Sequence, residues 1–186
     1  MKQLSLLCIL ALALLLTVGC DRPQADGGNR PEGFFDLGDY MNQQVELLSQ
    51  QPLRIRKTIA YNDVPEAAER DTLNVRQELN IFSGSNINRP ALYDRYSVDS
   101  VYAGASLQQL VYQALDDEVS VKRMTVSYDD NGEVSRIDLE RITDNYIYEA
   151  QQSLSYIPGY GYRIETYQDA ILSAPLRFSV DVSFLP

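Results

Sequence analysis

Histidine and tryptophan are missing from all 186 residues, and cysteine occurs only at Cys8 and Cys20. Without histidine the chain cannot supply a Ser-His-Asp triad, a Cys-His pair or an imidazole general base. Zinc sites built from cysteine and histidine are excluded with them. Any metal would be a hard cation held by oxygen, calcium or magnesium. Basic residues are scarce as well: 16 Lys and Arg against 26 Asp and Glu give a net charge of -10. Nucleic-acid binding rests on cations that neutralise phosphates, so this balance argues against nucleic-acid partners. What remains, 45% hydrophobic and 23% charged residues, is the composition of a folded protein of about one domain.

The one long apolar run lies near the start. Met1-Lys2-Gln3 is short and positively charged, and Leu4 to Leu16 is apolar apart from Ser5. That run is too short to span a bilayer comfortably. Thr17-Val18-Gly19 leads from it into Cys20. The layout is that of a secretory signal peptide with its cleavage site. Val18-Gly19-Cys20 resembles the end of the bacterial lipobox, in which cleavage precedes a cysteine whose sulfur carries diacylglycerol. Thr17 departs from it, standing where leucine is commonest. The resemblance is confined to residues 1–20 and implies a small envelope lipoprotein of the kind whose molecular roles are not assigned. It predicts a signal peptide over 1–19, a lipidated Cys20, and a domain outside the cytoplasm on a bacterial membrane, outer or inner. Two or more acyl chains hold firmly where one holds marginally, at about 0.8 kcal/mol per buried CH₂. Neither cysteine is then left to form a disulfide in the mature domain.

Residues 20–33 read as the lipidated cysteine and a flexible tether. Asp21 to Gly33 contains two prolines, three glycines and no large apolar residue, so nothing in it offsets the entropy of ordering. Fully extended, it reaches on the order of 45 Å.

Residues 34–186 read as a single domain. Phe34, Leu37, Met41, Val45 and Leu48 form one stripe of an amphipathic helix, capped by Asp36 and stopped by Pro52. The stripe reads as a core face. Leu53 to Ile59 suits a strand. Residues 71–82 suit strand or helix, with helix preferred, capped by Asp71 and ending before Gly84. Tyr96, Val98, Ser100 and Tyr102 alternate as a strand, and 107–115, ambiguous in period, is placed as another. Asn131-Gly132 signals a two-residue type I′ hairpin. It pairs Val126 with Ile137 and Met124 with Leu139 on one face, and Arg123 with Glu140 and Thr125 with Asp138 on the other. A second hairpin turns at Pro158-Gly159. Tyr146, Tyr148, Ala150, Leu154 and Tyr156 share a face, as do Tyr160, Tyr162 and Ile164. The two faces align only across an odd loop of three or five residues. Leu176, Phe178, Val180, Val182 and Phe184 alternate with polar residues as a last strand. The sum predicts an α+β domain, with one or two helices packed on a mainly antiparallel sheet of about six to eight strands.

Candidate chemistry is thin. Asp129-Asp130-Asn131-Gly132-Glu133 invites a calcium reading, but with Gly132 at the sixth position of an EF-hand loop the first and twelfth ligands become Ser127 and Asp138. A solvated turn fits better, so no metal and no cofactor is expected. Asp116-Asp117-Glu118 is a second acidic cluster. Paired carboxylates suffice for glycoside hydrolysis, yet nothing fixes a second acid at a useful distance. The 13 tyrosines suit half-buried strand positions, and a tyrosine-lined concave sheet can also bind sugar or lipid. The Gly-aromatic run Ile157 to Tyr162 lacks the spacing and following helix of a phosphate cradle. The expectation is a non-catalytic envelope module that binds or contacts a protein partner, held by lipid on Cys20. Two alternatives stand beside it: a carrier of a hydrophobic ligand in a cavity between helix and curved sheet, an analogy at the level of fold only, and a carboxylate hydrolase.

Overall fold

The computed structural model describes residues 33–50, 52–70, 74–171 and 173–185. The expected signal peptide, Cys20 and the tether up to residue 32 lie outside the described residues. Chain order is α1 (Leu37–Ser49), β1 (Arg54–Tyr61), β2 (Val64–Arg70), α2 (Val75–Ser83), a 3-10 turn (Pro90–Leu92), then β3 (Tyr96–Ala103), β4 (Ser106–Ala114), β5 (Val121–Tyr128), β6 (Val134–Asp144), β7 (Tyr148–Ile157), β8 (Gly161–Ala170) and β9 (Ser173–Leu185). Among the described residues, nine strands join one antiparallel sheet in the order β2-β1-β9-β8-β7-β6-β5-β4-β3. Seven strands form a simple meander, and the β1–β2 hairpin extends it past β9. The α+β reading holds, but the strand count exceeds the six to eight anticipated.

Helix α1 forms where the stripe placed it. The Asp36 carboxylate accepts from the Asp39 N–H at 2.9 Å, satisfying one of the orphan donors of the first turn. Its buried residues are Leu37, Met41, Val45 and Leu48. Helix α2 starts later than predicted. Its cap is Asn74, whose side chain accepts from the Gln77 N–H at 3.1 Å, and not Asp71, which lies outside the described residues. Val75, Leu79 and Phe82 form its buried face. The two helices pack on each other and share one core with Ile55, Met124, Val126, Ile137, Leu139, Leu154, Tyr156, Tyr162, Val180 and Val182 of the sheet. Each fully buried leucine or isoleucine contributes roughly 1.5–3 kcal/mol.

The two hairpins show what spacing can and cannot specify. At β5–β6 the expected pairs Val126–Ile137, Met124–Leu139, Arg123–Glu140 and Thr125–Asp138 are all present. The turn itself differs from a two-residue type I′ loop. Only Gly132 has positive φ, at 81°, and its N–H donates to the Asp129 carbonyl at 3.0 Å. The reason is Asp129. Its carboxylate accepts from the N–H groups of Asn131 and Glu133, each at 2.9 Å, which selects a type I turn followed by a bulged glycine. At β7–β8 the loop is three residues long, between Ile157 and Gly161, and Leu154 faces Ile164. Tyr146 and Tyr160 do not join the strand faces assigned to them; they sit in turns, 92% and 75% exposed.

Candidate functional site

Strand alternation gives the sheet two unlike faces. On the helix side, tyrosine hydroxyls stitch the layers together. Tyr156 donates to the Gln44 side-chain oxygen at 2.9 Å, and Tyr112 accepts from the Phe35 N–H at 2.9 Å. Tyr96 donates to the Val121 carbonyl at 2.7 Å. Tyr162 donates to the Glu78 carboxylate. The same carboxylate takes Lys57 Nζ at 2.7 and 2.9 Å, which fastens α2 to β1 and β8. Burial works to raise the Glu78 pKa, but the hydrogen bonds from Lys57 and Tyr162 outweigh it and hold the carboxyl below its ordinary value. Burial pushes the Tyr96 hydroxyl up to about 12 and raises Tyr156 and Tyr162 as well. These four tyrosines are core and not ligand platforms.

The other face carries a trough. Its volume is about 530 Å³. Two rows of outward side chains run across it, set by register. One row is Glu140, Ser153, Glu165, Ser179 and Ala60; the next is Ile142, Gln151, Tyr167 and Arg177. Lys122 and Asp63 complete the wall. The Arg177 guanidinium lies 5.9 Å from the centre of the Tyr167 ring, a cation–π distance. Further along the same face a smaller groove of about 320 Å³ includes Arg163 and Asp181, which pair at 2.6 Å. Arg136 and Asp138 pair at 2.7 Å. Charge on this face is therefore mixed in sign and partly self-neutralised.

Two of the residues that line the trough are glutamates. Glu140 and Glu165 are both exposed and stand two strands apart, so their Cα atoms are separated by about 10 Å.

The acidic clusters have structural partners. Arg95 holds Asp116 at 2.7 Å and Glu118 at 2.8 Å, which pins the β4–β5 turn to the start of β3. The Arg95 hydrogen bond, chief among the causes, lowers the Asp116 pKa. Asp129 is lowered first by the Glu133 N–H it accepts, as its turn geometry requires. No group of three or more acidic or cysteine side chains converges to hold a metal ion among the described residues. Nor is any helix among them long and apolar enough to cross a membrane. Reasoning from the sequence named Glu140 and Phe178 only as strand residues and assigned none of the trough residues to a site. Their only signal is that Gln151, Ser153, Glu165 and Tyr167 occupy the polar phase of their strands.

Comparison with known proteins adds no family: no family model matches the chain, and neither a curated protein nor a solved structure is similar to it.

Proposed function

We propose that this chain is a membrane-tethered, non-catalytic binding module, anchored through lipid on Cys20, whose working surface is the trough on the sheet face opposite α1 and α2. The observation that carries the reading is the trough itself: a concave floor of about 530 Å³ whose lining, among the described residues, includes no helix residue. Its chemistry suits a neutral, polyhydroxylated ligand. The Tyr167 ring offers a flat apolar platform, while Gln151, Ser153, Glu140 and Glu165 offer hydrogen-bonding groups around it. The paired charges of Arg163–Asp181 and Arg136–Asp138 leave little net field for a strongly charged ligand. We therefore assign the ligand to the oligosaccharides.

The carrier reading is less well supported. It needs an apolar cavity between helices and sheet, and that space is filled by Leu37, Met41, Leu79, Phe82 and Tyr156, all 0% exposed. None of the grooves described above is lined by a helix residue.

Two experiments test the proposal separately. For the anchor, cells are labelled with a lipid precursor and wild type is compared with Cys20→Ser. Label and membrane retention in the variant would remove the lipid assignment. For the trough, backbone and Gln side-chain amide shifts are followed by NMR as soluble chito-oligosaccharides are added. Perturbations at Gln151, Ser153 and Tyr167, abolished in Tyr167→Ala, are expected. Shifts scattered over both faces, or none, would overturn it.

A further inference from the structure

The sheet ends in two strands, β2 and β3, and they are protected very differently. Asn62 and Asp63, both at positive φ (48° and 66°), make the β1–β2 turn a two-residue type I′ hairpin, closed by the hydrogen-bonded pair Tyr61 and Val64. Alternation then directs the main-chain groups of residues 65, 67 and 69 outward. Pro65 occupies the first of these positions and has no N–H to offer. Glu66 and Glu69 add charge to the strand. That edge is blunted in the manner of natural edge strands.

Strand β3 has fewer of these devices: one charge, and one register shift against β4 at Val101/Tyr102. It contains no proline and no lysine, and Asp99 is its single charge. The Leu115 N–H donates to the Arg95 carbonyl at 2.9 Å, in line with the Tyr96–Ala114 register. Residues 95 and 115 are thus a hydrogen-bonded pair, so 97, 99 and 101 face β4. The main-chain groups of Val98, Ser100 and Tyr102 point off the sheet. The side chains around them are exposed: Val98 43%, Val101 47% and Tyr102 60%.

We propose that β3 is a self-association edge, at which two copies of this chain pair antiparallel about Ser100. Two-fold pairing through the outward groups permits few registers. Centred on Asp99, it sets two carboxylates face to face, which is destabilising. Centred on Val98, it leaves Tyr102 beyond the partner strand. Centred on Val101, it places Val98 against the Gly104 turn. Centred on Ser100, it puts Val98 opposite the other copy's Tyr102 and Asp99 opposite Val101, and it satisfies the outward N–H and carbonyl groups of residues 98, 100 and 102. The result is one continuous sheet of two domains. This inference does not depend on the trough or on the lipid.

The test uses the full chain with Cys8 and Cys20 replaced by serine, so that an introduced cysteine is the only thiol. A hydrogen-bonded antiparallel pair holds its Cα atoms about 5.5 Å apart, within disulfide range. Ser100→Cys should give a disulfide-linked dimer on mild oxidation, several-fold faster than Asp99→Cys, whose nearest approach is a diagonal of roughly 7–8 Å. Light scattering on the cysteine-free chain should show dimer mass at rising concentration. Val98→Lys should return it to monomer mass, and Val98→Lys with Tyr102→Glu should restore the dimer, because each lysine then faces a glutamate. Faster cross-linking at residue 99, monomer mass throughout, or a dimer indifferent to Val98→Lys would each overturn the proposal.

Discussion

The two faces of this sheet are built from the same strands, one residue out of phase, yet they answer to different physics. On the helix side, Leu139, Leu154, Ile164 and Val180 lie in one line across β6, β7, β8 and β9 and are closed over by α1 and α2. One step along each strand, Glu140, Ser153, Glu165 and Ser179 form a parallel line open to water. The first line supplies stability and the second supplies a surface. A sheet covered on one side only can hold a polar concavity on the other without weakening its core.

The sharpest way to break that contrast is to truncate neighbours on opposite faces. Leu139→Ala should cost about 2–5 kcal/mol, the transfer term plus the cavity left behind. Glu140→Ala, one residue on, should change stability by no more than about 0.5 kcal/mol. Urea titrations of the two variants check this directly. Equal losses would mean that the outer face is packed against something and is not a free surface.

A comparable loss is expected where β8 begins beside β9. Gly161 has φ of 145°, a conformation that side-chain-bearing residues avoid, and an added Cβ would collide with the Val182 carbonyl oxygen. Gly161→Ala should therefore cost about 1–3 kcal/mol from backbone strain, with the forced shift of β9 in addition. Gly132→Ala meets no neighbouring atom, so it should show the φ penalty alone. Thermal melts of the pair separate clash from strain.

How much of this was readable beforehand depended on separation along the chain. Helix α1, the β5–β6 register and the odd loop of β7–β8 follow from local spacing, since a slip of one residue would turn every apolar side chain outward. Strand β2 was missed because Val64-Pro65-Glu66-Ala67-Ala68-Glu69 has no alternation and is rich in helix formers. It is a strand because the Asn62-Asp63 turn lays it against β1. Asn74 rather than Asp71 caps α2, a choice between two good caps that propensity cannot rank. The trough was out of reach for a stronger reason. Its width depends on β1 lying beside β9, which pairs Ala60 with Ser179, and no local pattern specifies a contact over that distance. The tyrosines were ambiguous until their hydroxyl partners were visible.

The link between the layers gives a pH-dependent effect of intermediate size. Glu78 has a depressed pKa in the folded chain, with Lys57 and Tyr162 as its partners. A depressed carboxylate adds stability that is present above its unfolded pKa and is lost as pH falls through the folded one. The contribution should fade below the ordinary glutamate value of 4.5. Glu78→Gln should remove that acid-side dependence and cost about 1–3 kcal/mol at neutral pH, since Lys57 is left half-buried without its partner. Melting temperatures across the acid range, wild type against variant, check the sign. Parallel curves would assign the dependence to other carboxylates.

The smallest effect locates the boundary between the faces. Arg141 follows Leu139 on the helix-side phase of β6, opposite Gln152 of β7, but no helix residue bonds to it among the described residues. Its Nε is buried without a hydrogen-bond partner, and burial lowers its pKa. Arg141 is half-buried, and an Nε with no partner among the described residues pays desolvation with no compensating bond, so an apolar side chain of similar reach should be tolerated or preferred. Arg141→Met is expected to leave stability unchanged or raise it by up to about 1 kcal/mol. A loss greater than that would show that the arginine has a partner in solution and that the helix-side face is polar at this end, which would make the division between the two faces less clean than the rows of Leu139 and Glu140 imply.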